Sequence, residues 1–527
     1  MSSPNTSASL QQQAVNPWLV AFIVSIATFM EVLDTTITNV SLSHISGSLG
    51  ASYDESTWVL TSYLVANGIV IPISGWLSGI LGRKNYFMIC IACFTLASFA
   101  CGAATSLPML VFFRLIQGMA GGGLQPVQQA IILDAFPPSQ RAAAFGITSI
   151  TMIIAPILGP TLGGWITDNF VWRWIFYINV PVGIAAFLLA SRFIFDAPES
   201  KFNGNKSIDY IGISLVALGL GSLQIVLDKG QQDDWFHSNF VIFFAVICVS
   251  CIGVAIYWLL KQENPLINLR LLKDHGFRMS CLLIFITGFF LYSCSMIIPL
   301  MVQTQLGYTS LLAGLVISPG GVVVLLIIPF MGRLLSIFSA KTLIIFGFAL
   351  ASLGMFFSAG ITTGIDFNTL VWIRIGQVVC LPFLFVPIST VAFSNIPKDQ
   401  NNKASALYSM ARNLGGSIGI ALTATYIIRT QQSNQSHLAE HLIGIDGNIQ
   451  GTIDGISRTL MDGGYDASSA SEMAMSQVYQ QLVTQSSFLS YQNAFYLLFF
   501  IGIFAMVFAI FLPKSNSKAV ADPSVQH

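Results

Sequence analysis

About fourteen stretches of roughly twenty mostly apolar residues recur from one end of this 527-residue chain to the other, and no other property constrains its fold as strongly. Hydrocarbon offers no water to bond a free N–H or C=O, so segments of this length can cross it only as helices that satisfy their own backbone. The stretches begin near Trp18, Trp58, Asn85, Pro108, Arg141, Trp172, Ile208, Asn239, Phe277, Leu311, Lys341, Phe367, Ala404 and Gln492. An all-α integral membrane protein is the expected class. The composition, 54% hydrophobic and 9% charged, leaves no space for a large soluble domain. A net charge of zero suggests neither nucleic acid nor an acidic surface as partner. The first fifteen residues lack a basic n-region and lead into a long apolar span, so they read as a cytoplasmic tail rather than a signal peptide.

Lys and Arg in the short loops set the expected orientation. Arg83, Lys84, Arg141, Arg192, Lys201, Lys206, Lys261, Arg270, Lys273, Arg278, Arg333, Lys341, Lys398, Lys403, Lys514 and Lys518 fall on one side, against Arg173, Lys229, Arg429 and Arg458 on the other. The positive-inside rule then puts both termini in the cytoplasm and favours an even number of spans. All eight cysteines lie in apolar segments and read as small core residues, with no metal site expected.

The first span carries two carboxylates, Glu31 and Asp34, three residues apart. An ionised acid deep in hydrocarbon costs about 2.5–3.5 kcal/mol on insertion scales, so it normally faces a cavity and binds or moves charge. Spacing of three puts both on one helix face. The plain alternative is that one of them neutralises a buried arginine.

An internal repeat organises the chain. LVFFRLIQG at 110–118 recurs as LVWIRIGQV at 370–378, IPISGWLSGILGRKN at 71–85 as IPFMGRLLSIFSAKT at 328–342, and FPPSQRAAAFG at 136–146 loosely as IPKDQNNKASALY at 396–408, each offset by about 260 residues. Parallel repeats of this length imply two six-helix halves with a transport site between them near the midplane. The spans near 208–228 and 239–260 have no counterpart, which gives 6 + 2 + 6. The expected organisation is a tail at 1–16, a first half at 17–200, an inserted pair at 201–262, a second half at 263–513 with an external loop at 430–490, and a tail at 514–527.

These features resemble the major facilitator superfamily, specifically its fourteen-span drug:proton antiporter branch of the EmrB/QacA type. LDTTITNVSL in the first span resembles that branch's signature, and LVFFRLIQG resembles the motif whose arginine, here Arg114, handles protons. APILGPTLGGW looks like the antiporter motif, with Pro156, Gly159, Pro160, Gly163 and Gly164 at its core. WRWIFYINVPVG at 172–183 and IGISLVALGLGSLQIVLDKG at 211–230 are also typical. GWLSGILGRK keeps Gly75, Gly82, Arg83 and Lys84 of the loop between spans two and three, but Gly79 stands where many members have Asp, so no aspartate latch is expected.

The resemblance implies proton-coupled multidrug efflux across a bacterial inner membrane by alternating access. It implies no cofactor beyond the proton-motive force, lipophilic or cationic drugs and protons as ligands, and lipid as surroundings. It also implies a periplasmic adaptor of the EmrA type with an outer-membrane channel; the polar stretch at 430–490, unusually long for a plain loop, is either a partly helical cap or a docking surface. The geometry of the spans is consistent with this. Asp34 lies nearer the outer face than Glu31, and Arg114, on a span running the other way from Pro108, falls at Asp34's depth, so the two meet if spans one and four touch. Proline and small residues in the antiporter motif suit a tight hinge or ordinary close packing. Arg374, the repeat mate of Arg114, has no acid at matching depth and is expected to bond backbone carbonyls. Gln117, Gln125, Tyr292, Gln377, Arg412 and Asn413 are candidate cavity residues.

Other classes fit less well. There is no G-x-x-x-x-G-K-[ST] loop for a primary pump, and all six histidines fall in expected loops or the tail, which leaves an intramembrane hydrolase without a base and an enzyme unexpected. The nearer alternative is an exporter of an endogenous metabolite, siderophore or lipid on the same scaffold.

Overall fold

A computed structural model describes residues 16–195, 209–262, 265–444 and 448–513. The two tails and Lys201, Lys206, Lys514 and Lys518 therefore lie outside the described residues. Thirteen helices among them are long and apolar enough to cross a membrane: α1 Pro17–Val40, α2 Trp58–Leu81, α3 Arg83–Gly102, α4 Leu107–Ala135, α5 Arg141–Asn169, α6 Trp174–Phe193, α7 Tyr210–Lys229, α8 Asn239–Lys261, α9 His275–Gln305, α10 Ser310–Ile337, α11 Ala340–Ser358, α12 Phe367–Ala392 and α14 Ala467–Ile510. The fourteenth, α13, is Asn401–Gly444; it is less apolar, with Asn, Ser, Thr and Gln along its length, and packs between α2, α9 and α14.

Sequence and start points agree closely except at the end. Ala467, not Gln492, begins α14, and the polar stretch expected as an external loop is helical. Both α13 and α14 run 44 residues, well beyond the roughly 20 needed to span, and a short helix, Asn448–Asp462, lies between them. That helix packs on α14, with Ile453, Ser457, Ala470 and Ala474 buried in the contact. The segment is rich in Gln, Ser, Ala and Met, so it carries no hydropathy signal and still propagates a helix.

The basic loops, those around Arg83, Arg141, Arg333 and Lys398, gather at one end of the bundle, called here the basic end. The two halves touch there. Gly75 of α2 sits so close to α13 that a Cβ would lie 2.8 Å from the Asn402 carbonyl oxygen. Phe145 of α5 stacks on Phe393 after α12 with ring centroids 5.7 Å apart, and Ser409 of α13 donates to Gln129 of α4 at 3.4 Å. Arg83 pairs with Asp134 and donates to the Ala130 carbonyl at 3.1 Å, while Lys84 donates to the Ser191 carbonyl at 2.8 Å, tying α3 to α4 and α6. Gly82, at φ +84°, makes the turn between α2 and α3 that an L side chain resists.

The helix α5 runs unbroken through Pro156 and Pro160 and packs between α1 and α10. A Cβ on Gly159 would overlap the Thr36 side chain, one on Gly163 would meet the Ile37 carbonyl at 3.2 Å, and one on Gly164 would meet the Leu311 backbone nitrogen at 2.7 Å. Thr161 and Ser318 share a hydrogen bond of 2.7 Å across the α5–α10 contact. Small residues here let three backbones approach, which is how helices associate where lipid removes the hydrophobic drive. Of the cysteines, Cys93 is exposed and Cys251 half-buried; the other six are buried, and all eight are free.

Candidate functional site

A cavity of about 280 Å³ lies between the halves, from the middle of the bundle toward the end opposite the basic loops. Its walls come from both halves: Glu31, Thr35, Thr36 and Asn39 of α1, Tyr63 and Asn67 of α2, Arg114 and Gln125 of α4, Tyr292 of α9, and Asn413, Ser417 and Ala424 of α13. Gln224, Leu227, Asp228 and Gln231 add a wall from the inserted α7 and the turn after it.

The two acids of α1 enter separate networks. Asp34 is buried and pairs with Arg114; it also accepts from Gln117 Nε2 at 2.9 Å and from Asn179 Nδ2 at 2.7 Å. Arg114 donates to Gln117 Oε1 at 2.9 Å and to the Val59 carbonyl at 3.1 Å, and its guanidinium lies over the Tyr63 ring, 4.2 Å from the centroid. The remaining nitrogen, Nη2, has no hydrogen-bond partner among the described residues, and Arg114 lines the cavity. A buried ion pair of this kind survives desolvation because several further bonds satisfy both members.

Glu31, one turn nearer the middle, lines the cavity and accepts from Tyr63 Oη at 3.3 Å, Asn67 Nδ2 at 3.0 Å and Gln125 Nε2 at 2.6 Å. The carbonyl of the same Gln125 accepts from Arg412 Nη2, on α13. A continuous polar chain thus runs from an acid of the first half to a cation of the second.

Of the six candidate cavity residues, Gln125, Tyr292 and Asn413 line the cavity. Gln117, Gln377 and Arg412 are not among its lining residues; Gln117 bonds Asp34, Gln377 the Ser358 hydroxyl at 2.9 Å, and Arg412 Gln125. Arg374 repeats the Arg114 geometry by bonding Gln377 three residues on at 3.2 Å, but its other partners are the Cys294 carbonyl at 3.2 Å and Ser295 Oγ at 3.4 Å. The sequence reading missed Asn67, Asn179 and Asp228. Asn67 and Asn179 are single amides in apolar spans and gave no pattern. Asp228 did give one, since Gln224 and Asp228 at i and i+4 share one face of α7, with Gln231 in the turn just after it.

Residues 24–420 match the Major Facilitator Superfamily. The multidrug export protein EmrB of Escherichia coli strain K12 is 37% identical over 433 residues, 82% of this chain and 84% of that one. The fatty acid resistance protein FarB of Neisseria gonorrhoeae is 33% identical over 440 residues, 83% of this chain and 86% of that one. Among solved structures, the human organic anion transporter MFSD10 superposes with a TM-score of 0.59 at 13% identity, covering 92% of this chain and 99% of its own, a likeness of fold alone.

Proposed function

This chain belongs to the Major Facilitator Superfamily, and from that membership we propose that it exports lipophilic and cationic drugs across the bacterial inner membrane in exchange for protons. It is a multi-pass membrane transporter and not an enzyme. The observation that carries the antiport reading is the chain of side chains Glu31–Gln125–Arg412 at the cavity wall beside the buried Asp34–Arg114 pair. A proton entering from the cavity neutralises an acid that a cationic substrate also needs, so the two compete for one carboxylate. Either exchange alters the bond network that reaches the second half, and rocking of the halves about the site gives alternating access.

With the basic end at the cytoplasm and both termini there, the cavity faces outward. In the inward-facing state the contacts of Gly75 with α13 and of Phe145 with Phe393 open, the proton leaves to the less acidic side, and drug enters. The transmembrane potential contributes about 2.3 kcal/mol per charge per 100 mV to any net charge moved. No bound cofactor is needed. The extended α13 and α14 with the helix between them supply a surface outside the membrane, which we assign to a periplasmic adaptor that passes drug to an outer-membrane channel. Resistance of intact cells that survives deletion of 440–480 would count against that assignment.

A second reading, export of a fatty-acid-like amphiphile, is favoured by the 33% identity to a fatty acid resistance protein. One measurement separates the two: proton release on adding a lipophilic cation to purified protein in detergent, native against Asp34→Asn. Release that vanishes in the variant supports antiport through Asp34. Persistent release moves the coupling site to Glu31, and no release from the native chain with cations but release with fatty acids favours the second reading.

A further inference from the structure

The inserted pair α7–α8 does more than fill space in the lipid. Only 17% of the most apolar stretch of α8 is buried, so α8 faces lipid, whereas α7 lies against α2 and α13 and puts Leu220, Gln224, Leu227 and Asp228 on the cavity. A lipid-facing filler has no use for an acid there, since a carboxylate beside hydrocarbon is costly. Asp228 accepts a hydrogen bond from Thr61 of α2. The ammonium of the next residue, Lys229, bonds Thr57 and Gln232 Oε1 at 2.9 Å, lies 5.2 Å from the Trp58 ring centroid, and acts on Asp228 through space rather than by a direct bond. No ion pair to Asp228 occurs among the described residues. The cavity's other acid, Glu31, already holds three side-chain donors.

We propose that Asp228 is a second carboxylate site in the cavity, at its mouth, which takes the cationic group of a lipophilic substrate. Depth gives it a role distinct from that of Glu31. Asp228 is one residue from the end of α7 and Glu31 nine from the end of α1, which at 1.5 Å per residue sets Asp228 roughly 12 Å nearer the outer end. A cation released from Glu31 meets a second anion on its way out, and the apolar Leu220 and Leu227 on the same face of α7 cover its hydrophobic body. Cations are thereby favoured over neutral or anionic amphiphiles of the same shape. This inference rests on the export reading above.

The experiment measures binding of tetraphenylphosphonium and of the neutral probe N-phenyl-1-naphthylamine to purified full-length protein, native and Asp228→Asn, at one ionic strength. Loss of one charge-assisted contact in a partly wet site predicts affinity for the cation down by about tenfold, with the neutral probe unchanged and Asp228→Glu restoring the cation. As a check that needs no variant, tetraphenylphosphonium slows carbodiimide labelling of the native Asp228 peptide, read by mass spectrometry, and the neutral probe does not. Unchanged cation binding in Asp228→Asn, or an equal loss for both probes, overturns this inference alone. A native chain that binds neither probe overturns the export reading and this inference with it.

Discussion

Arg412 donates its guanidinium hydrogen to the side-chain carbonyl of Gln125, so a residue of the second half of the chain is bonded to a residue of the first at the cavity wall. Gln125 spends its amide on Glu31 at 2.6 Å, so among the described residues it is a hydrogen-bonded link through which the charge state of that acid reaches across the molecule. Replacing it with Leu keeps the volume and removes both bonds. Each hydrogen bond to a charged group is worth about 1.5–3 kcal/mol, so substrate-driven proton flux in proteoliposomes is expected to fall ten- to a hundredfold. Equal flux from native and Gln125→Leu protein would show that the two halves exchange without this link.

The Asp34–Arg114 pair is expected to behave as a unit. Removing one member leaves a buried charge unpaired, at a cost of about 3–5 kcal/mol, so Asp34→Asn and Arg114→Gln each lower the melting temperature in detergent. The double variant is expected to be more stable than the sum of the two losses, because no lone charge remains. Strict additivity in that cycle would mean that the pair carries no mutual energy. Transport answers separately: all three variants lose coupling, including the stable double one.

The six-helix repeat, the fourteen spans and the meeting of Asp34 with Arg114 were legible in the sequence, since each follows from a period, an offset or a depth. The offset of about 260 also places Cys294 opposite Asp34 and Arg374 opposite Arg114. In the second half the arginine bonds the Cys294 backbone where the first half has a carboxylate, so the fold is repeated while the ion pair is not. Which of the two acids of α1 touches the cavity was not legible. Spacing of three put them on one face, yet Asn179 and Gln117 hold Asp34 back from the cavity while Glu31 turns to Asn67 and Gln125; those partners sit 36 to 145 residues away in the chain. Helix beyond the membrane was legible only as a partly helical cap, not as a continuation of the spans: hydropathy reports solvent, not backbone conformation, and α13 and α14 keep their helices after leaving the lipid.

That external hairpin supplies its own test. Ile453 is buried where the short helix meets α14, although mean burial around it is low. Ile453→Asp buries an unpaired charge and is expected to release the helix locally, a change seen as faster proteolysis within 448–466. Binding of lipophilic cations by the purified variant is expected to stay within about twofold of native, because nothing from this helix lines the cavity. A parallel loss of drug binding would mean that the hairpin and the membrane bundle are one cooperative unit.

The glycines of α5 rank by what a methyl group would meet, and the ranking is a sharp expectation. At Gly164 the obstacle is backbone, the Leu311 nitrogen at 2.7 Å with Ser310 beside it, so α10 itself must move for Gly164→Ala to fit. At Gly163 the nearest atom, the Ile37 carbonyl, is 3.2 Å away, and a few tenths of an ångström of give suffices. At Gly253 of α8 nothing lies within 4 Å, and Ala there gains up to about 1 kcal/mol of helix propensity. Folded yield on size-exclusion chromatography should therefore fall for Gly164→Ala by the 1–3 kcal/mol or so typical of overpacking, fall less for Gly163→Ala, and hold or rise for Gly253→Ala. If the transporter must also part α5 from α10 during its cycle, Gly164→Ala loses turnover out of proportion to its loss of stability, since the contact it crowds is remade in every cycle; if that contact stays fixed, turnover and stability fall together.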